Sequence, residues 1–145
     1  MQDQTFGPDE AAALVAKTFA PWVAEIGLCL VEATPKRSRL HLPRNDRLLL
    51  RGGPGIGVLC GQAIAAVADT ACVLALTGAN GRFRNCTTVD MSVRFIRPLA
   101  DAATDVTVDI ESNGRKLAVC RVTLAAEGST KTAALATATF MYLED

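Results

Sequence analysis

Three observations predict an α+β domain in which an antiparallel sheet curls around one buried helix. The run from Val58 to Leu76 is apolar except for Gln62, Asp69 and Thr70, and it has the length of a core helix. Four stretches of strand-like alternation follow it, separated by turn-forming residues. Two shorter strand-like runs precede it, behind an amphipathic N-terminal segment. No repeat, low-complexity tract or linker interrupts the chain, so residues 1–145 read as a single domain.

The elements follow in order. Pro8 and the acidic pair Asp9 and Glu10 open a helix whose apolar positions Leu14, Val15 and Phe19 have near-helical spacing, and which is expected to reach about Trp22. Leu28–Ala33 and Arg37–Pro43 read as two strands joined at Thr34-Pro35-Lys36, with Arg37, Arg39 and His41 alternating against Ser38, Leu40 and Leu42. Arg44–Gly57, rich in arginine and glycine, is a loop delivering the chain to the central helix. After a second loop, Thr77–Asn85, strands are expected over Thr87–Ile96, Ala103–Ser112, Lys116–Ala126 and Thr132–Tyr142. Asn113-Gly114 between the second and third of these is a strong hairpin signal.

Composition excludes several classes. Lysine and arginine number 15, equal to aspartate and glutamate, so no global field favours nucleic acid or an anionic membrane. The N-terminus, Met1 to Thr5, lacks a basic segment followed by an apolar one, so no signal peptide is expected and the cytoplasm is the expected location. Five cysteines without CxxC spacing read as reduced core thiols, and with one histidine no metal centre is expected. A bilayer span takes about 20 apolar residues. The Val58–Leu76 run is only marginally long, is built largely of alanine, and holds Gln62 and Asp69, both expensive in hydrocarbon, so a helix wrapped by sheet is the better reading.

A carboxylate in the middle of an apolar helix is the candidate chemical group, because burying it unpartnered is costly. Glycines crowd the approach to that helix and Gly61 lies in its first turn, where backbone N–H groups can meet a ligand oxygen. Gln62 lies seven residues before Asp69, close to two turns, and shares its face with Ala65 and Cys72; small residues there leave that face roomy. In the strand Thr87–Ile96, simple alternation places Thr88, Asp90, Ser92 and Arg94 on one face and Val89, Met91, Val93 and Phe95 on the other.

The segment Cys60-Gly61-Gln62-Ala63-Ile64-Ala65-Ala66-Val67-Ala68-Asp69-Thr70 resembles the His-Gly-Gly-x6-Asp helix of hotdog-fold thioesterases of the phenylacetate-pathway (PaaI-like) type. Thr87-Thr88-Val89-Asp90-Met91, followed by Phe95-Ile96-Arg97-Pro98, resembles the strand those proteins place next, in the same order and spacing. The resemblance covers roughly Gly27 to the C-terminus. It implies a hotdog fold and hydrolysis of acyl-coenzyme A thioesters with no metal or other cofactor. It also implies a homodimer or homotetramer with active sites between subunits, and no nucleic-acid or membrane partner. By the same resemblance, Asp69 is the catalytic carboxylate, acting as general base or nucleophile. Gly61 polarises the thioester carbonyl through its N–H, and Thr88 holds the attacking water from across the subunit interface.

The chain departs from the family where histidine and two glycines are usual: it has Cys60, Gly61 and Gln62, and Pro54 stands where some members have asparagine. Gln62 is then a side-chain donor to the carbonyl or an orienter of Asp69 through water. Cys60 is a small replacement for histidine rather than a nucleophile, since no histidine is poised as its base. With Ala65 and Cys72, these two residues form the expected substrate contacts. The rival to hydrolysis is a non-catalytic acyl-CoA-binding protein of the same fold.

Overall fold

The computed structural model describes residues 5–100 and 102–144, so the first four residues, on which part of the leader reading rests, lie outside it. The architecture is the expected one. Six antiparallel strands form one sheet in the order β1-β2-β4-β5-β6-β3, comprising β1 (Cys29–Ala33), β2 (Arg37–Leu42), β3 (Cys86–Phe95), β4 (Thr104–Asn113), β5 (Leu117–Ala126) and β6 (Thr132–Tyr142). One long helix, α3 (Gly61–Asn80), lies against it. Val67, Ala68, Ala71, Leu74 and Ala75 of this helix are fully buried against inward-facing residues such as Val108, Val122, Leu124 and Ala136. The helix is long and apolar enough to cross a bilayer, yet 67% of its apolar window is buried inside the molecule, as a core helix requires.

The N-terminal helix is divided. α1 (Pro8–Thr18) starts at Gly7, whose N–H donates to Glu10 Oε2 at 3.0 Å, and a four-residue α2 (Pro21–Ala24) follows. The break falls at Pro21 because proline has no N–H to continue the ladder and holds the residue before it extended; Ala20 sits at ψ 143°. The expected single helix to Trp22 is thereby corrected.

The central helix begins three residues later than the sequence suggested and runs four residues further, ending at Gly81 in the left-handed conformation (φ 70°) that suits glycine. Near its end Gly78 lies against β1, where a Cβ would stand 2.5 Å from Ala33 Cβ; the helix can sit this close only because the side chain is absent. At the far end of the sheet, Tyr142 Oη donates to Asn113 Oδ1 (2.6 Å) and accepts from Asn80 Nδ2 (2.9 Å), while the Arg84 guanidinium stacks 3.5 Å over its ring.

β3 is an edge strand, paired only with β6, and its register with β6 shifts between Thr88 and Asp90 so that Val89 is the extra residue of a bulge. Thr88 stands opposite Phe140, and Met91 opposite Ala138, both buried inner-face residues. Thr88 therefore shares the helix-facing side with Met91 and Val93, not with Asp90 and Ser92 as unbroken alternation would have it.

Candidate active site

The start of α3 is pinned on both sides: Leu59 N–H donates to Leu99 O (2.8 Å) and Cys60 N–H to Leu48 O (2.9 Å). Cys60 is the N-cap, and its Sγ accepts from Ala63 N–H at 3.4 Å, a weak version of the bond a serine would make. That geometry assigns its thiol a capping role. The N–H groups of Gly61 and Gln62 have no acceptor among the described residues. They lie at the positive end of the helix dipole, where a carbonyl oxygen acquiring negative charge is stabilised.

One stripe of α3 is left uncovered by the sheet: Gln62, Ala65, Ala66, Asp69 and Val73 are half-buried or exposed while every other side chain from Ala63 to Thr77 is buried. Asp69 is thus half-buried, not enclosed. The bulged strand brings Thr88 to it, and Thr88 Oγ1 donates to Asp69 Oδ1 at 2.7 Å. This bond forms within one chain, whereas the sequence reading delivered Thr88 from a second subunit. The other carboxylate oxygen, Oδ2, has no hydrogen-bond partner among the described residues.

The remaining expected contacts divide. Gln62 is exposed, its amide without a hydrogen-bond partner among the described residues, and Ala65 lies on the open stripe. Seven residues of helix separate Gln62 from Asp69 by about 10 Å, too far for a single bridging water, so Gln62 does not orient the Asp69 of its own chain. Cys72 is corrected outright: it is fully buried, its free thiol interacting with that of Cys120 on β5, so it faces the sheet and not the open stripe. Three residues of helix advance the direction by about 300°, turning Cys72 some 60° away from Asp69 and into the core.

Cys86, not anticipated from the sequence, stands on the same inner face two residues before Thr88. Burial first, and then the nearby Asp69 charge, push its thiol above the ordinary range. The alternation of Cys86 with Thr88 was a signal available in the sequence. Phe95 brings its ring to Gly61, where a Cβ would meet only the ring edge at 3.4 Å. A cleft of about 250 Å³ opens there between Gly61, Ile64 and Phe95, with Arg97 at its margin.

With this geometry in place, the sheet and helix can be compared with known proteins. The fold is shared with a thioesterase from Haemophilus influenzae (TM-score 0.80, 18% identity, covering 98% of this chain and 94% of that one). It is shared also with thioesterase superfamily member 2 from Mus musculus (TM-score 0.77, 19% identity, 97% of each chain). A third similar structure is a conserved protein from Pseudomonas aeruginosa (TM-score 0.76, 23% identity, 88% of this chain and 98% of that one). No curated protein gives a significant sequence match. The shared fold is a hotdog-type α+β domain, one antiparallel sheet around a central helix. The profile of the acyl-CoA thioesterase N-terminal domain matches residues 52–141, which include Gly61, Asp69 and Thr88, and the chain belongs to that family.

Proposed function

We propose that the protein hydrolyses an acyl-coenzyme A thioester to the free acid and coenzyme A, with Asp69 as general base. The observation that carries this reading is the Thr88–Asp69 hydrogen bond, 2.7 Å long and on the stripe of the helix left uncovered by the described residues. It holds Oδ1 and leaves Oδ2 for a water molecule. In the proposed reaction Oδ2 takes a proton as the water oxygen attacks the thioester carbon. The Gly61 N–H stabilises the oxyanion, and the C–S bond breaks as the coenzyme A thiolate leaves. The spacing from Cys60 to Asp69 and the Phe95-Ile96-Arg97-Pro98 run support a place near the phenylacetate-pathway type within the family.

Eight residues of helix put Gly61 and Asp69 about 12 Å apart, too far for both to serve one carbonyl. A second copy of the chain resolves this by setting its Gly61 against the first copy's Asp69 and Thr88. The unpaired edge of β3, with Val89 56%, Phe95 59% and Ile96 50% exposed, supports such a homodimer, and a tetramer is compatible with it. Five free cysteines and a coenzyme A substrate support a cytosolic site of action.

The test is coenzyme A release from short-, medium-, long-chain and aryl acyl-CoAs by wild type and Asp69→Asn. Turnover lost in the variant with the fold retained is expected. Wild-type binding of acyl-CoA without thiol release would instead identify a non-catalytic binding protein.

A further inference from the structure

A cleft of about 290 Å³ opens on the other side of the first turn of α3 from Phe95, walled by Trp22, Ile26, Leu48, Cys60 and Ala63, with Gln62 and the exposed charged pair Glu25 and Arg47 completing its lining. Ile26 and Ala63 are buried and form its apolar floor, while the indole of Trp22 is 61% exposed. A tryptophan so placed leaves a large apolar face in water, and nothing else in the described chain covers it. The wall beside it is fixed: Asn45 Nδ2 donates to the carbonyl oxygens of Glu25 (3.1 Å) and Ile26 (3.2 Å), and its Oδ1 accepts from Arg47 N–H (3.1 Å). Those bonds use both Nδ2 hydrogens and fix the Asn45 side chain in the cleft wall.

Resting on the thioesterase reading, we propose that this cleft receives the acyl group of the substrate and that Trp22 determines acyl-chain specificity, favouring compact medium-chain or single-ring acyl groups over long ones. Cys60 and Gln62, which line the cleft, flank Gly61, so the cleft begins beside the N–H proposed to hold the carbonyl. The Gln62 amide, with no partner among the described residues, lines the same cleft. The apolar floor suits an uncharged acyl group, the facing charges of Glu25 and Arg47 (4.0 Å apart) stay at the solvent rim, and the coenzyme A arm leaves toward the opposite cleft, which Arg97 lines. Volume sets the size limit: ligand pockets span about 300–1,000 Å³, and this one, at about 290 Å³, falls just below the lower bound. A medium-chain or single-ring group fills it, and a long chain runs out of it.

Trp22 is the single tryptophan of the chain, so its emission reports the cleft directly and independently of turnover. The probes are octyl-coenzyme A thioether, which is inert to hydrolysis, and coenzyme A alone. A saturable blue shift with the thioether and none with coenzyme A is expected. Trp22→Ala should lower kcat/KM for octanoyl-CoA by about ten- to a hundredfold, the loss of one aromatic contact. It should change acetyl-CoA turnover by less than about twofold, and Trp22→Phe should restore most of the octanoyl-CoA rate. Octanoyl-CoA hydrolysis that Trp22→Ala leaves unchanged, or an emission unmoved by the thioether while wild type turns octanoyl-CoA over, overturns the inference and leaves the thioesterase reading standing. An emission shift without any turnover keeps the cleft and overturns hydrolysis; neither shift nor turnover overturns both.

Discussion

Thr88 reaches Asp69 because Val89 does not pair with β6. The bulge at Val89 turns Thr88 onto the helix-facing side of β3, and its hydroxyl donates to Asp69 Oδ1 at 2.7 Å. A backbone irregularity in an edge strand therefore delivers the hydroxyl that holds one oxygen of the proposed catalytic carboxylate.

Removing either end of that bond separates their roles. Asp69→Asn should lower kcat by about 10²- to 10⁴-fold, the range for loss of a general base. Thr88→Val should lower it by about ten- to a hundredfold, as expected for one hydrogen bond to a charged group, and Thr88→Ser should recover most of the loss. Steady-state thiol release on folded variants checks both. A Thr88→Val enzyme with wild-type kcat would reduce the bond to a structural contact.

Gly61→Pro isolates the backbone N–H. The first helical position tolerates proline, and Cys60 already has the extended conformation (φ −69°, ψ 151°) that proline demands of its predecessor. The variant should melt within a few degrees of wild type yet lose about 10²- to 10³-fold in kcat, the range for one oxyanion donor. Calorimetry and initial rates together read this; undiminished turnover would remove Gly61 N–H from the mechanism.

Gly78→Ala tests the close approach of α3 to β1. The added methyl would stand 2.5 Å from Ala33 Cβ, so the elements must separate and lose stability by about 1–3 kcal/mol despite alanine's better helix propensity. Denaturant unfolding measures it, and Ala33→Gly in the same chain should recover part of the loss.

The thiols should differ in reactivity. The Cys72 thiol is pushed well above the ordinary range by its interaction with the free Cys120 thiol and by burial, and that of Cys86 by burial and the Asp69 charge, so both carry little thiolate at neutral pH. Alkylation followed by mass spectrometry should modify exposed Cys29 first and Cys72 only on unfolding. Asp69→Asn should bring Cys86 back toward ordinary reactivity, because it removes one of the charges opposing its ionisation.

Much of this was legible in the sequence, because local patterning and a spaced motif encode it. The apolar run with Asp69 at its centre gave the core helix, Asn113-Gly114 gave a hairpin, and Pro21 held the signal for the helix break. What was not legible depends on non-local pairing. The bulge at Val89 arises from the register of β3 on β6, and no residue in Thr87–Met91 announces it. Strict alternation therefore turned Thr88 the wrong way. Cys72 was misplaced for a different reason, since its helical offset from Asp69 already pointed to the core. The cleft at Trp22 joins α2, the segment around Leu48 and the start of α3, which no local pattern connects.

Mixing two inactive variants tests the shared site most directly. Gly61→Pro and Asp69→Asn chains, each inactive alone, should on unfolding and reassembly together regain about a quarter of wild-type thiol release. Random pairing makes half the dimers mixed, and each mixed dimer holds one intact site. A mixture that remains inactive although mixed dimers are present would contradict an active site built from Gly61 of one chain and Asp69 and Thr88 of the other.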